Sequence, residues 1–206
     1  LKYKVNSEYS TRLWIDIEKD LVKSYKTNLK DTKFTVSKKA HKFNDKLALS
    51  PSATIIMPTS EKSQRTNHLI FGLELNPSFS YKLNDKISLS YLPRFAKNFH
   101  QYKTSDNNAV LTEYKSVQFY VASYAINDKW SFDPAVIYVN TWSYEGTRRD
   151  PSFLTQLELG HQYTRDLSFA MGTLTGGSVL QKDQGPDESI EVYDKNDATF
   201  YGKFAY

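Results

Sequence analysis

Residues 68–95 read HLIFGLELNPSFSYKLNDKISLSYLPRF. Up to the turn, the odd positions are Leu69, Phe71, Leu73, Leu75, Pro77, Phe79, Tyr81 and Leu83. The even positions are His68, Ile70, Gly72, Glu74, Asn76, Ser78, Ser80 and Lys82. One row is apolar and the other mostly polar, which is the period of a half-buried strand. After Asn84-Asp85-Lys86 the apolar row resumes as Ile87, Leu89, Tyr91, Pro93 and Phe95, against Ser88, Ser90 and Arg94. Asn and Asp suit a tight turn because they tolerate positive φ and bond their own backbone. The stretch therefore predicts a hairpin of two long strands.

The same punctuation recurs at Asn44-Asp45-Lys46 and Asn127-Asp128-Lys129, with a degraded copy at Thr164-Arg165-Asp166. The four aspartates are 40, 43 and 38 residues apart. So regular a period means one hairpin unit used repeatedly. Trp130, Phe132, Pro134, Val136, Tyr138, Trp142 and Tyr144 repeat the apolar row after the third triplet, with Ser131, Asp133, Thr141 and Ser143 interposed.

Strands are expected at Tyr3–Ile17, Lys33–Phe43, Lys46–Met57, His68–Leu83 and Lys86–Asn98, then Glu113–Ile126, Lys129–Tyr144, Phe153–Thr164, Leu167–Leu180 and Ala198–Tyr206. Most exceed the ~5–6 residues usual in soluble sheets and suffice to cross an apolar belt of ~25 Å when tilted. The short turns alternate with longer polar segments at 60–67, 103–111, 145–152 and 181–197. These features predict an all-β fold, an antiparallel up-and-down transmembrane β-barrel of about ten strands, as one domain over residues 1–206. Twelve strands result if 19–32 hides another hairpin. A propeller shares the period but packs four short strands into each repeat. A soluble sandwich or lipocalin-like binder keeps the pattern and reverses the solvent, with the apolar rows inside.

Composition agrees with a barrel. No run reaches the ~18 apolar residues of a helical span, and mean hydropathy is negative. Barrel strands escape that criterion because only alternate residues face lipid. The 15 Tyr, 12 Phe and 3 Trp suit interfacial girdles. With no cysteine, disulfides, thiolate metal sites and cysteine nucleophiles are excluded. The net charge of +4 comes with no clustered basic reading module, so no nucleic-acid partner is expected. The chain begins at Leu1 without a signal-like apolar segment, as a processed or trimmed form would.

The last residues, Phe200-Tyr201-Gly202-Lys203-Phe204-Ala205-Tyr206, alternate aromatics around a glycine and end on an aromatic. This segment resembles the C-terminal β-signal of Gram-negative outer-membrane β-barrel proteins. The resemblance implies Phe200, Gly202, Phe204 and Tyr206 as an assembly signal. It also implies the outer-membrane assembly machinery and outer-membrane lipid as partners, and the bacterial outer membrane as location.

Facing follows from the alternation. Leu69, Phe71, Leu73, Leu75, Phe79, Ile87, Leu89, Phe95, Trp130, Phe132 and Val136 are the lipid-facing candidates, and Arg12, Asp16, Glu18, Glu74, Arg94, Asp133 and Glu158 the lumen-facing ones. A narrow bore is expected to be occluded by pairs among these charges, because a buried charge needs a partner. Lys38, Lys39 and Lys42 interrupt the apolar row of their strand, and a midplane lysine costs ~2–4 kcal/mol against lipid. They are expected to mark a subunit contact in a homo-oligomer, or the headgroup rim. The segment 181–197 carries six carboxylates against two lysines without calcium-loop spacing. It reads as a solvated loop, so no metal and no cofactor is expected.

The four histidines are His41, His68, His100 and His161, and none opens a His-x-Ser motif. His100 with Asp106 is the one acid–base pair near a loop rim. The expectation is a passive pore or structural envelope component and no enzyme. The alternative is a lipid hydrolase or protease at the surface.

Overall fold

The computed structural model describes residues 1–19, 27–164, 167–178 and 198–205. The segment 181–197 and Tyr206 lie outside the described residues, as does the side chain of Glu18. The strand segments are β1 (Lys2–Lys4), β2 (Tyr9–Trp14), β3 (Ile17–Lys19), β4 (Thr27–Leu29), β5 (Thr32–Lys38), β6 (His41–Lys42), β7 (Leu47–Ser50) and β8 (Ser52–Met57). They continue with β9 (Leu69–Leu75), β10 (Ser78–Lys82), β11 (Ile87–His100), β12 (Thr112–Ala125), β13 (Trp130–Ser143), β14 (Ser152–Gln162), β15 (Ser168–Ser178) and β16 (Thr199–Ala205).

One 14-stranded antiparallel sheet runs β1-β2-β5-β8-β9-β11-β12-β13-β14-β15-β16, and β3-β4 form a separate ladder of two. Segments β6, β7 and β10 carry the lines of β5, β8 and β9 toward the short turns. The interruptions fall at Pro51 and at Asn76-Pro77, where proline has no N–H to give a ladder.

The short turns are one structure repeated. In each, the residue before the turn donates its N–H to the carbonyl four residues on: Phe43 to Leu47, Leu83 to Ile87, Ile126 to Trp130 and Tyr163 to Leu167, at 2.9–3.0 Å. Asn44 Oδ1 accepts from the N–H groups of Lys46 and Leu47 at 2.9 and 2.8 Å. Asn84 and Asn127 do the same at 2.8–3.0 Å, and Thr164 Oγ1 accepts from Leu167 at 3.1 Å. Asn6 supplies a further copy, bonding Glu8 and Tyr9 at 2.8 Å. Among the described residues only His68 and Asn108 have positive φ outside glycine. The turn asparagines therefore serve through their side-chain acceptor, the expected bond to their own backbone, and not through their tolerance of positive φ.

The Asn6 turn also corrects the strand count. Tyr3–Ile17 is a hairpin of β1 and β2 rather than one strand, so the main path holds eleven successive antiparallel positions instead of ten. Of the segment 19–32, only Lys19 and residues 27–32 are described; β4 pairs antiparallel with β3 in a ladder that stands outside the large sheet. With eleven positions, β1 and β16 run in the same direction and cannot pair antiparallel with each other. Among the described residues no ladder joins them, and the sheet is not closed.

Register separates two faces. Val36, Ala53, Leu75 and Phe95 are successive partners on one, and Lys2, Arg12, Thr35, Thr54 and Glu74 on the other. The apolar face is not gathered into a core. Leu75 is 61% exposed, Phe95 49%, and Phe200 and Phe204 80% each. Among the described residues only Leu111, Ala135, Ile137 and Phe153 are buried hydrophobics, and no large side chain is fully enclosed. A sandwich would interdigitate its apolar rows in a layer ~10 Å thick. No such layer exists among these residues.

Candidate functional site

Four expected lumen residues converge. Arg12, Asp16, Glu74 and Arg94 line one groove of about 530 Å³ on the polar face, together with Lys2, Lys33, Trp14 and a bed of hydroxyls that includes Ser10, Thr35, Ser52 and Thr54. The sheet positions them by register: Lys2, Arg12, Thr35, Thr54 and Glu74 form one row across five strands. Thr35 and Thr54 join hydroxyls at 2.8 Å, and Asn76 Nδ2 donates to Thr54 Oγ1 at 3.1 Å.

The charges in this groove do not pair as expected. Arg12 lies over the Trp14 ring with its guanidinium carbon 4.8 Å from the centroid, and Arg94 over Phe119 at 4.5 Å. Among the described residues no carboxylate is within ion-pair reach of either arginine. The groove holds four cations against two carboxylates. Occlusion by paired charges is thus corrected here: ring faces, not carboxylates, hold the guanidiniums.

Asp133 and Glu158 sit apart from that groove, opposite each other on β13 and β14. Asp133 accepts from Ser131 Oγ at 2.7 Å. Glu158 accepts from Tyr201 Oη at 2.6 Å and from Gln156 Nε2 at 3.1 Å, and the Lys203 ammonium is its ion-pair partner. Between the two sites the polar face turns apolar. Val117, Phe119 and Val121 on β12 share it with Ala135, Ile137 and Val139 on β13. Sequence alternation does not reveal this strip, because the opposite face of the same strands also carries Tyr120, Tyr124, Phe132 and Val136.

The apolar row holds the expected lipid-facing residues except Leu69, which a register shift at the end of the β9–β11 ladder pairs with His100 instead. Register puts Phe71, Leu73 and Leu75 on one face of β9. Phe79, Ile87, Leu89 and Phe95 share it on β10 and β11, and Trp130, Phe132 and Val136 on β13. Phe200, Gly202 and Phe204 alternate with inward Tyr201 and Lys203 on β16, and Phe204 meets Phe169 at 5.0 Å. Tyr206 lies outside the described residues.

The three lysines of the β5–β6 wall do not share one face. Along Thr32–Lys38, Phe34, Val36 and Lys38 fall on the apolar face and Lys33, Thr35 and Ser37 on the other. A break at Lys39-Ala40 shifts the phase, so that Lys42 pairs Ala48 on the polar face. Lys38, Lys39 and Lys42 are all exposed and sit toward the short turns. The apolar face does carry one polar island nearer the long loops, where Gln118 Nε2 donates to Ser116 at 2.6 Å and Tyr91 Oη bonds Gln118. Beside it, Arg148 Nε donates to Asn140 Oδ1 at 3.1 Å.

At the long-loop rim the acid–base pair differs from expectation. Asp106 Oδ1 meets His68 Nε2 at 2.7 Å, while His100 Nδ1 and the His100 N–H face the Tyr144 hydroxyl at 3.1 and 3.0 Å. His68 has φ 49°, a conformation unusual outside glycine, and its ring stands edge-on to Tyr102 at 5.2 Å. The Asp106 N–H bonds the Thr66 carbonyl at 3.1 Å, tying two loops together. The spacing of 38 residues hides this pair from a local motif. No group of three or more metal-ligating side chains exists among the described residues.

No protein-family model matches the chain, and no curated protein sequence does. Among solved structures, it is similar to OmpT (in-vitro folded), an outer membrane protein of Vibrio cholerae. The TM-score is 0.52 and the identity 11%, covering 99% of this chain and 61% of that one. The chain thus spans less than two thirds of the length of the structure it matches. The likeness is one of fold: an all-β antiparallel wall of the outer-membrane β-barrel class. The expectation of no enzyme is corrected. That expectation rested on the absence of a His-x-Ser motif and on His100 with Asp106 as a weak pair, whereas the loop rim brings a different histidine, His68, to Asp106.

Proposed function

We propose that the chain forms the wall of a bacterial outer-membrane barrel that acts as a passive pore for small hydrophilic solutes. The observation that carries it is the separation of faces. An apolar row, left exposed at Ile55, Leu75 and Phe204, backs a charged, hydroxyl-rich groove whose arginines have no carboxylate partner among the described residues. A row of exposed large apolar side chains on one sheet face fits acyl chains. Lipid and the assembly machinery, engaged through Phe200, Gly202, Phe204 and Tyr206, are the proposed partners. A homo-oligomer, if formed, would bury the polar island around Ser116, Gln118 and Asn140.

The test is electrophoresis of detergent-solubilised protein with and without boiling, followed by planar-bilayer recording. A heat-dependent mobility shift with discrete conductance steps is expected. A protein that stays dispersed without detergent and gives no steps would contradict the reading.

His68 and Asp106 favour a second reading, a hydrolase at the loop rim, with the histidine as general base and the aspartate fixing its tautomer. His68→Ala would abolish hydrolysis of peptide or lipid substrates by intact barrels on that reading. On the pore reading it leaves conductance unchanged.

A further inference from the structure

We infer that the groove around Arg12 and Arg94 recognises a carboxylated, hydroxyl-rich solute, in chemical terms an acidic sugar. The inference rests on the pore reading and gives its solute a class. Three observations meet there. The groove has four cations and only two carboxylates, so an anion is favoured. Each guanidinium lies on an aromatic ring, Arg12 on Trp14 and Arg94 on Phe119, which orients its plane without using its N–H donors. Among the described residues those donors have no protein acceptor. A planar fork with free N–H groups matches a carboxylate in bidentate fashion.

The rest of the lining decides between a simple anion and a sugar. Ser10, Ser37, Ser50 and Ser78 line the groove, and a serine hydroxyl can both donate and accept. Such a surface can exchange hydrogen bonds with successive hydroxyls of a polyol, which acetate or chloride cannot use. The volume of about 530 Å³ is ample for a monosaccharide. Asp133 and Glu158, on the far side of the apolar strip, lie outside this lining. The basic groove is therefore a local feature of the wall between β1 and β11.

The test is calorimetric titration of the detergent-solubilised protein with glucuronate, glucose and acetate, beside bilayer recording of the same preparation. Glucuronate should bind at least about tenfold more tightly than either comparison ligand, since it alone offers both carboxylate and polyol. Arg94→Gln and Arg12→Gln should each weaken glucuronate about tenfold, and Lys82→Gln, outside the groove, should not. Equal binding of glucuronate and glucose, equal binding of glucuronate and acetate, or no binding of glucuronate by the unaltered protein would each overturn the inference. A conducting protein that ignores glucuronate removes this inference and leaves the pore. A protein that binds glucuronate without conducting removes the pore.

Discussion

Tyr201 on β16 donates its phenol hydrogen to Glu158 on β14, two strands away, at 2.6 Å. The bond is possible because the residue between them is Gly172, the register partner of both. A Cβ at Gly172 would come within 2.5 Å of Tyr201 Oη and 2.7 Å of the Leu157 carbonyl. The last strand, which carries the outward aromatics, is thus latched on its inner side through one glycine.

Gly172→Ala should destabilise the folded protein by about 1–3 kcal/mol, because the ring over β15 has no room to retreat against backbone. Tyr201→Phe should cost about 1–2 kcal/mol by stripping Glu158 of a short donor. Urea unfolding in detergent micelles checks both, with the two effects less than additive because they act on one contact.

Asn84→Ala removes two acceptor bonds from a solvent-exposed turn and should cost about 0.5–2 kcal/mol. Asn84→Asp, which keeps the acceptor, should be close to neutral. The same pair of substitutions at Asn6 should behave alike, since Asn6 makes the same two bonds. A large difference between the two sites in urea midpoint would separate turns that the structure makes equivalent.

Leu73→Lys should destabilise the bilayer-inserted protein by ~2–4 kcal/mol, the cost of a charge on the lipid side of a barrel wall. Lys38→Leu should change stability by less than ~0.5 kcal/mol, because Lys38 sits exposed toward the short turns. Reversible folding into vesicles measures both.

His68→Gly should be tolerated and His68→Val should be destabilising, since only the first accepts φ 49° without strain. The expected gap is on the order of 1–2 kcal/mol, read from thermal midpoints of the detergent-solubilised protein.

The hairpin grammar was legible because Asn-Asp-Lys appears as a triplet, yet the turn depends only on the asparagine acceptor. Asn6-Ser7-Glu8 makes the same turn without the triplet, so the β1-β2 hairpin was read as one strand and the count fell short by one. Facing was legible wherever one row is apolar and the other polar, as along Phe71–Leu75. It failed at Lys39-Ala40, where a break shifts the phase, and on β12, where Val117, Phe119 and Val121 make both faces apolar. Of the site, Arg12, Glu74 and Arg94 were legible from alternation alone. Their lack of carboxylate partners was not, because ring contacts such as Arg94 with Phe119 join strands that alternation treats separately. The His68–Asp106 pair needed the loops brought together in space.

The central claim is that the Phe71–Leu75 row meets hydrocarbon while the alternate row meets water. The chain has no cysteine, so single-cysteine variants can be spin-labelled without background. Nitroxides placed one at a time from Leu69→Cys to Leu75→Cys, in protein inserted in lipid vesicles, should alternate with period two. Beyond the register shift, positions 71, 73 and 75 should be more accessible to oxygen, and 72 and 74 to a water-soluble nickel chelate. A scan without alternation, or with the nickel chelate favouring 73 and 75, would contradict the account.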